Sequence, residues 1–194
     1  MITLRAVGVV ASVVLLVTAC GGAGREEANP AFDDPPPSAT VTSAPASPAA
    51  SADRATTAAV PAALAFSART LDGRSFQGAS LAGKPVVFWF WAPWCPKCRS
   101  EAPAVKAAAA RFGDVAFVGV AGLDTEAAMK EFVERTGTGG IPQLADTNGA
   151  VWTGLGVSEQ STFVFMKPDG STMKVSGPLD QDALDGHVHR LLGR

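Results

Sequence analysis

Cysteine is scarce in this chain, with three residues in 194. Three are too few for a scaffold stapled by disulfides. Histidine is scarcer, represented only by His187 and His189. A charge excess is missing too: 16 Lys and Arg face 18 Asp and Glu, a formal net charge of −2. That balance removes the electrostatic case for nucleic-acid binding. The apolar run Ala6–Ala19 is too short, and too abruptly ended, for a comfortable transmembrane helix. What the chain does have is 47% hydrophobic residues, enough for a real core, so wholesale disorder is excluded. Its 20 Gly and 14 Pro are unevenly spread, which places part of the chain outside the fold. The length suits one domain with a tail.

Residues 1–19 read as a signal segment: Arg5 as the positive n-region, then an apolar core. The segment ends in Val17-Thr18-Ala19-Cys20, which resembles the lipobox of bacterial lipoproteins. The resemblance implies that Cys20 is lipidated and becomes the first mature residue, with the domain tethered to the outer face of the cell membrane. The alternative is a plain secretory signal, with Cys20 a free thiol. Either reading puts the folded part outside the cytoplasm, and loss of Arg5 leaves a net charge of −3. Residues 20–62 hold seven of the 14 prolines amid Ala, Ser, Thr and Gly. Such a segment buries too little apolar surface to offset its ordering entropy. It reads as a tether with a coil end-to-end distance of roughly 35 Å, although simple padding fits the composition equally well.

Residues 63–194 alternate strand and helix signals. Leu64–Thr70 and Arg74–Phe76 flank the hairpin turn Asp72-Gly73. Pro85–Trp91 is a β-branched and aromatic run suited to a strand buried on both faces. A helix over 96–111, a strand over 114–121 and a helix over 125–135 capped by Thr125 follow. Next come a short apolar piece at 141–145, strands 161–166 and 172–176 around Pro168-Asp169-Gly170, and a closing helix over 180–192. The order predicts an α/β fold, a mixed sheet with parallel units, an antiparallel edge and helices on both faces.

The chemistry sits at the end of the buried strand, in Ala92-Pro93-Trp94-Cys95-Pro96-Lys97-Cys98-Arg99. Cys95 falls at or just before the first helical turn, where free N–H groups stabilise an anion. Pro96 suits the first helical position, and Lys97 adds positive charge. Together these depress the thiol of Cys95 below the free value of roughly 8.5. Cys98 lies one turn on. A disulfide between the two closes almost no loop and gains little as a staple, so the spacing argues for redox work.

The string WAPWCPKC, with a strand before it and a helix after, resembles the thioredoxin-fold oxidoreductases. Pro103, five residues after Cys98, matches that family's helix-kinking proline. The N-terminal hairpin and the extra material between Leu123 and Leu155 resemble the TlpA/ResA branch. WAPWCP and QSTFVF resemble its secreted actinobacterial Dsb-type (DsbE/DsbF-like) members. The resemblance implies that Cys95 is the nucleophile that forms a mixed disulfide and that Cys98 resolves it. It also implies that Trp94 shields the site and offers an apolar surface to unfolded clients, with no organic cofactor or metal needed. The implied clients are reduced or misoxidised secreted proteins. The implied redox partner is a membrane protein, such as a vitamin K epoxide reductase homologue.

Two departures stand out. The buried carboxylate that thioredoxins place two residues before the Trp of this strand is replaced by Trp89, which leaves Cys98 without its usual proton acceptor. The cis-proline position is Ser161, so a trans Gln160–Ser161 bond is predicted, since the cis form before a non-proline residue costs roughly 3 kcal/mol. The Ser161 hydroxyl is then free to donate towards a cysteine thiolate. Pro142 is the rival for the proline role.

Other readings stay open at this level. A zinc site at Cys95 and Cys98 would need two more ligands, and His187 and His189 are two apart on a helix and point different ways. A peroxidase would want Thr or Ser at Ala92. Trp89 and Trp91 read as core residues. The chemistry runs either as an oxidant of secreted proteins or as a membrane-tethered reductant, for example in cytochrome c maturation. A non-catalytic binding module on the same fold is the third reading.

Overall fold

The computed structural model describes residues 59–194. The signal segment, Cys20 and nearly all of the tether lie outside the described residues.

Strands β1 (Ser67–Arg69) and β2 (Ser75–Gln77) pair antiparallel around the Asp72-Gly73 turn, where Gly73 takes φ +87°. The main sheet contains β3 (Val86–Trp91), β4 (Ala116–Ala121), β5 (Gln143–Ala145), β6 (Thr162–Met166) and β7 (Thr172–Ser176). Its order is β5-β4-β3-β6-β7. The β3–β4 and β4–β5 pairs are parallel, and β3–β6 and β6–β7 are antiparallel. The mixed sheet expected from the sequence is therefore present, with β3 at its centre and all six of its residues buried. Continuous burial explains why PVVFWFW shows no polar alternation.

Helices α1 (Pro96–Arg111), α2 (Glu126–Thr136) and α4 (Gln181–Leu192) pack with Val87, Trp89 and Trp91 in one core. The opposite core takes Val86, Phe88 and Phe90 with the five-residue helix α3 (Ala150–Gly154). Helices thus cover both faces, unevenly. The alternation of β3 side chains between the two cores follows from the two-residue period of a strand. Trp91 stacks on Phe132 at 4.3 Å between ring centroids, and Phe90 meets Trp152 edge-on at 5.5 Å.

The helix caps follow local chemistry. Thr125 Oγ1 accepts the Ala128 N–H at 3.3 Å, and Asp180 Oδ1 accepts the Ala183 N–H at 2.9 Å. Gly137 and Gly193 end α2 and α4 in the left-handed conformation. Pro103 lies inside α1, exposed, and the helix runs through it to Arg111.

Candidate active site

β3 ends at Trp91, and the chain turns through Ala92-Pro93-Trp94 into α1. Cys95 caps this helix, and its Sγ accepts the Cys98 N–H at 3.1 Å. Pro96 is the first helical residue. The cap places a sulfur on the unpaired N–H groups of a helix start, where negative charge is favoured. Cys95 and Cys98 are joined as a disulfide, with Cα atoms 5.3 Å apart. Cys95 is 3% exposed and Cys98 is fully buried. An approaching thiol therefore reaches Cys95 first.

The rim above the pair is apolar. Trp94 is 53% exposed, and its indole N–H donates to the Leu123 carbonyl at 3.2 Å. Leu123, just after β4, is 56% exposed and is the one non-glycine with positive φ (64°) among the described residues. Lys97 is exposed on the first turn of α1.

Behind the cysteines lies a group that the sequence reading missed. Glu101 is fully buried on α1, three residues after Cys98. Positions i and i+3 share a helix face, so Glu101 and Cys98 lie one turn apart on the buried side of α1. Glu101 Oε2 accepts the Trp89 indole N–H at 3.0 Å. Its Oε1 accepts the Ser161 hydroxyl at 2.6 Å and the Leu179 N–H at 3.0 Å. Burial pushes this carboxyl above its ordinary range against the opposing pull of those donors and the Lys97 charge. The usual strand carboxylate is absent, as expected, but a buried acid stands on the helix instead. Trp89 does replace the strand carboxylate, but its indole holds a carboxylate supplied by the helix. The signal was in the sequence as a charge on the buried face of an Ala-rich helix.

Ser161 also needs correction. Thr162 pairs with Phe90, so Ser161 falls at the end of β3 from which the chain turns to Cys95. The Gln160–Ser161 peptide is cis, not trans. The residue is held from several sides: its hydroxyl by Glu101, its carbonyl by the Gly177 N–H at 2.9 Å, and its successor by the β6 ladder, with the Thr162 hydroxyl on the Glu159 carbonyl. The hydroxyl donates to Glu101 rather than towards a sulfur. Pro142 precedes β5 at the far edge of the sheet, away from β6.

His187 stacks on Phe165 at 5.1 Å and His189 meets Phe112 edge-on at 5.3 Å. Phe112 caps the far end of α1, roughly 20 Å along the helix from Cys98. Burial and the neighbouring Arg190 charge hold the His187 imidazole below its usual range. Among the described residues no group of three His, Cys, Asp or Glu is placed to hold a metal ion.

A cysteine disulfide at the junction of a central strand and a helix, one sulfur capping that helix, defines a thiol:disulfide oxidoreductase of thioredoxin fold. The AhpC/TSA family model matches residues 60–173, and the chain belongs to that family. The chain is 43% identical over 131 residues to the soluble secreted antigen MPT53 of Mycobacterium tuberculosis, which spans 66% of this chain and 75% of that protein. It is 30% identical over 122 residues to the thiol-disulfide oxidoreductase ResA of Oceanobacillus iheyensis, covering 61% and 63% of the two chains. Among solved structures, M. tuberculosis DsbF is 52% identical with a TM-score of 0.67, covering 69% of this chain and 99% of that one. A secreted M. tuberculosis disulfide oxidoreductase homologous to DsbE of E. coli is 41% identical with a TM-score of 0.63, covering 68% and 98%.

Proposed function

We propose that this chain is an extracytoplasmic oxidant of secreted proteins, anchored to the membrane through a lipid on Cys20. The observation that bears most weight is the Cys95–Cys98 disulfide, with Cys95 capping α1 beneath an apolar rim. The secreted relatives support the location.

In the proposed cycle a client thiolate attacks Cys95 Sγ. The Cys95–Cys98 bond breaks, and Cys98 leaves as a thiolate. Glu101, whose burial favours the protonated form, supplies the proton that makes Cys98 a thiol. A second client thiolate then attacks the client sulfur of the mixed disulfide, releasing Cys95 as a thiolate stabilised by the helix start. Two electrons pass from the client dithiol to the enzyme pair. Run backwards, the Glu101 carboxylate takes the Cys98 proton, and the resulting thiolate resolves the mixed disulfide. Trp94 and Leu123 provide apolar surface for an unfolded client, and Lys97 biases the site towards the anion. A membrane thiol-redox protein, of the vitamin K epoxide reductase kind, would re-oxidise the pair.

The ResA relative favours a second reading, in which the same chemistry runs as a membrane-tethered reductant. The equilibrium of the purified chain with glutathione separates the two. A potential near −150 mV or higher supports the oxidant, and one near −250 mV or lower supports the reductant. Replacing Cys20 by Ser tests the anchor: the chain should move from the membrane fraction to the medium.

A further inference from the structure

Glu101 draws two of its three hydrogen-bond donors from fixed parts of the fold, the Trp89 indole and the Leu179 main chain. The third is the hydroxyl of Ser161, which stands where the resemblance to the thioredoxin fold calls for proline, a residue with no side-chain donor. The contact is short, 2.6 Å, and both residues are buried, Ser161 at 1% exposure and Glu101 at 0%. Gly177 closes over it. A Cβ there would collide with both Glu101 Oε1 and Ser161 Oγ, so position 177 admits no side chain.

We propose that Ser161 is a positioning residue for disulfide exchange: its hydroxyl orients the carboxyl of Glu101, one helical turn along α1 from Cys98, and sets the pH at which that carboxyl gives or takes the Cys98 proton. The proposal rests on the exchange chemistry argued above and assigns the proton step a control point 60 positions along the chain, just before β6.

The physical argument is one of competing terms. Burial disfavours the carboxylate, and donors favour it. The Ser161 hydroxyl lies at the shortest distance of the three donors, and hydrogen bonds to an ionised group are among the stronger ones. Few other groups can tune this acid. Lys97, on the same helix, is the charge that reaches it. From β3 it meets an indole, from the residue just before β6 a hydroxyl, and from the turn before α4 a main-chain N–H. Asp180, beside Leu179, is exposed and caps α4. Leu184 on α4 is apolar and buried. Cys98, three residues earlier on α1, is the other titratable group on that buried helix face.

The test compares the full chain with Ser161→Ala, Ser161→Thr and Glu101→Gln. Carbon-detected NMR follows the Glu101 carboxyl in the oxidised protein, a readout that needs no activity. Stopped-flow reaction of the reduced chain with glutathione disulfide, the direction in which the Glu101 carboxylate acts as base, follows rate against pH. Ser161→Ala should raise the Glu101 midpoint by about one pH unit. The acid limb of the rate profile should move up with it, and Ser161→Thr, which keeps a hydroxyl, should restore both. Glu101→Gln should abolish the limb. An unmoved midpoint in Ser161→Ala overturns the proposal. So does a rate lowered equally at every pH, or a limb that survives Glu101→Gln. A wild-type chain without exchange at any pH would overturn the oxidoreductase reading instead, while the carboxyl titration would still report the Ser161–Glu101 link.

Discussion

The indole N–H of Trp94, the residue before Cys95, is bonded to the carbonyl of Leu123 at 3.2 Å. The bond uses the main chain of Leu123 and leaves its side chain in solvent. Leu123 also holds a positive φ that a leucine adopts at a cost of roughly 1 kcal/mol. Exposure and strain at one residue, unrewarded by packing, point to use by a client. Leu123→Gly relieves the strain and keeps the carbonyl. Thermal unfolding should show the variant equal to or more stable than the parent, by up to about 1 kcal/mol less the backbone entropy that glycine adds. Its exchange with an unfolded protein client should slow severalfold, and exchange with glutathione should not. Equal slowing on both would remove Leu123 from the client surface.

Cys95→Ser should reduce both insulin reduction and dithiol oxidation to background, since the attacked sulfur is gone. In Cys98→Ser the free Cys95 thiolate should still attack a client disulfide, displacing one client thiolate, and the unresolved mixed disulfide should accumulate and be visible by mass. Undiminished activity in Cys95→Ser would favour the non-catalytic binding module.

Glu101 links the site to stability. The folded chain holds the Glu101 proton to higher pH than the unfolded chain does, because burial raises this carboxyl from its ordinary 4.5. In that window the folded state binds more protons, so the contribution of Glu101 is fully present below the unfolded value. It is lost as pH rises through the folded midpoint. Urea unfolding of the oxidised chain at a series of pH values should show parent stability declining relative to Glu101→Gln as pH rises. Parallel curves would show that Glu101 titrates alike in both states.

A second buried polar link supports β3 from the β5 side. Trp91 Nε1 donates to Gln143 Oε1 at 3.0 Å, and Gln143 Nε2 donates to the Thr138 carbonyl at 2.9 Å. Gly119 on β4 leaves room for this amide, and a Cβ there would collide with it. The amide is held at both ends and cannot swing away. Gly119→Ala should destabilise the chain by about 1–3 kcal/mol, a drop of several degrees in Tm measured by calorimetry. An unchanged Tm would mean that Gln143 relocates freely.

Much of this site was legible because its logic is local. Cys95, Pro96 and Cys98 sit within four residues of a strand-to-helix turn, and the helix cap arises inside that segment. Thr125 and Asp180 cap their helices for the same reason. Helix α3 escaped the reading because five residues, Ala150–Gly154, are too few to show a helical period.

The sequence by itself determined the alternation of elements, the buried central strand and the position of the redox pair. Hydrophobic period, turn residues and caps act over a few residues of chain. Only the tertiary structure decided what surrounds that pair. Glu101 receives its donors from residues 12, 60 and 78 positions away, and Trp94 meets a carbonyl 29 positions on. Whether an acid on an Ala-rich helix faces water or a closed polar pocket depends on which strand end and which turn are brought against it. That choice is made by the β3–β6 register and the packing of α4 on α1, and it turns an ordinary-looking glutamate into the proton partner proposed for Cys98.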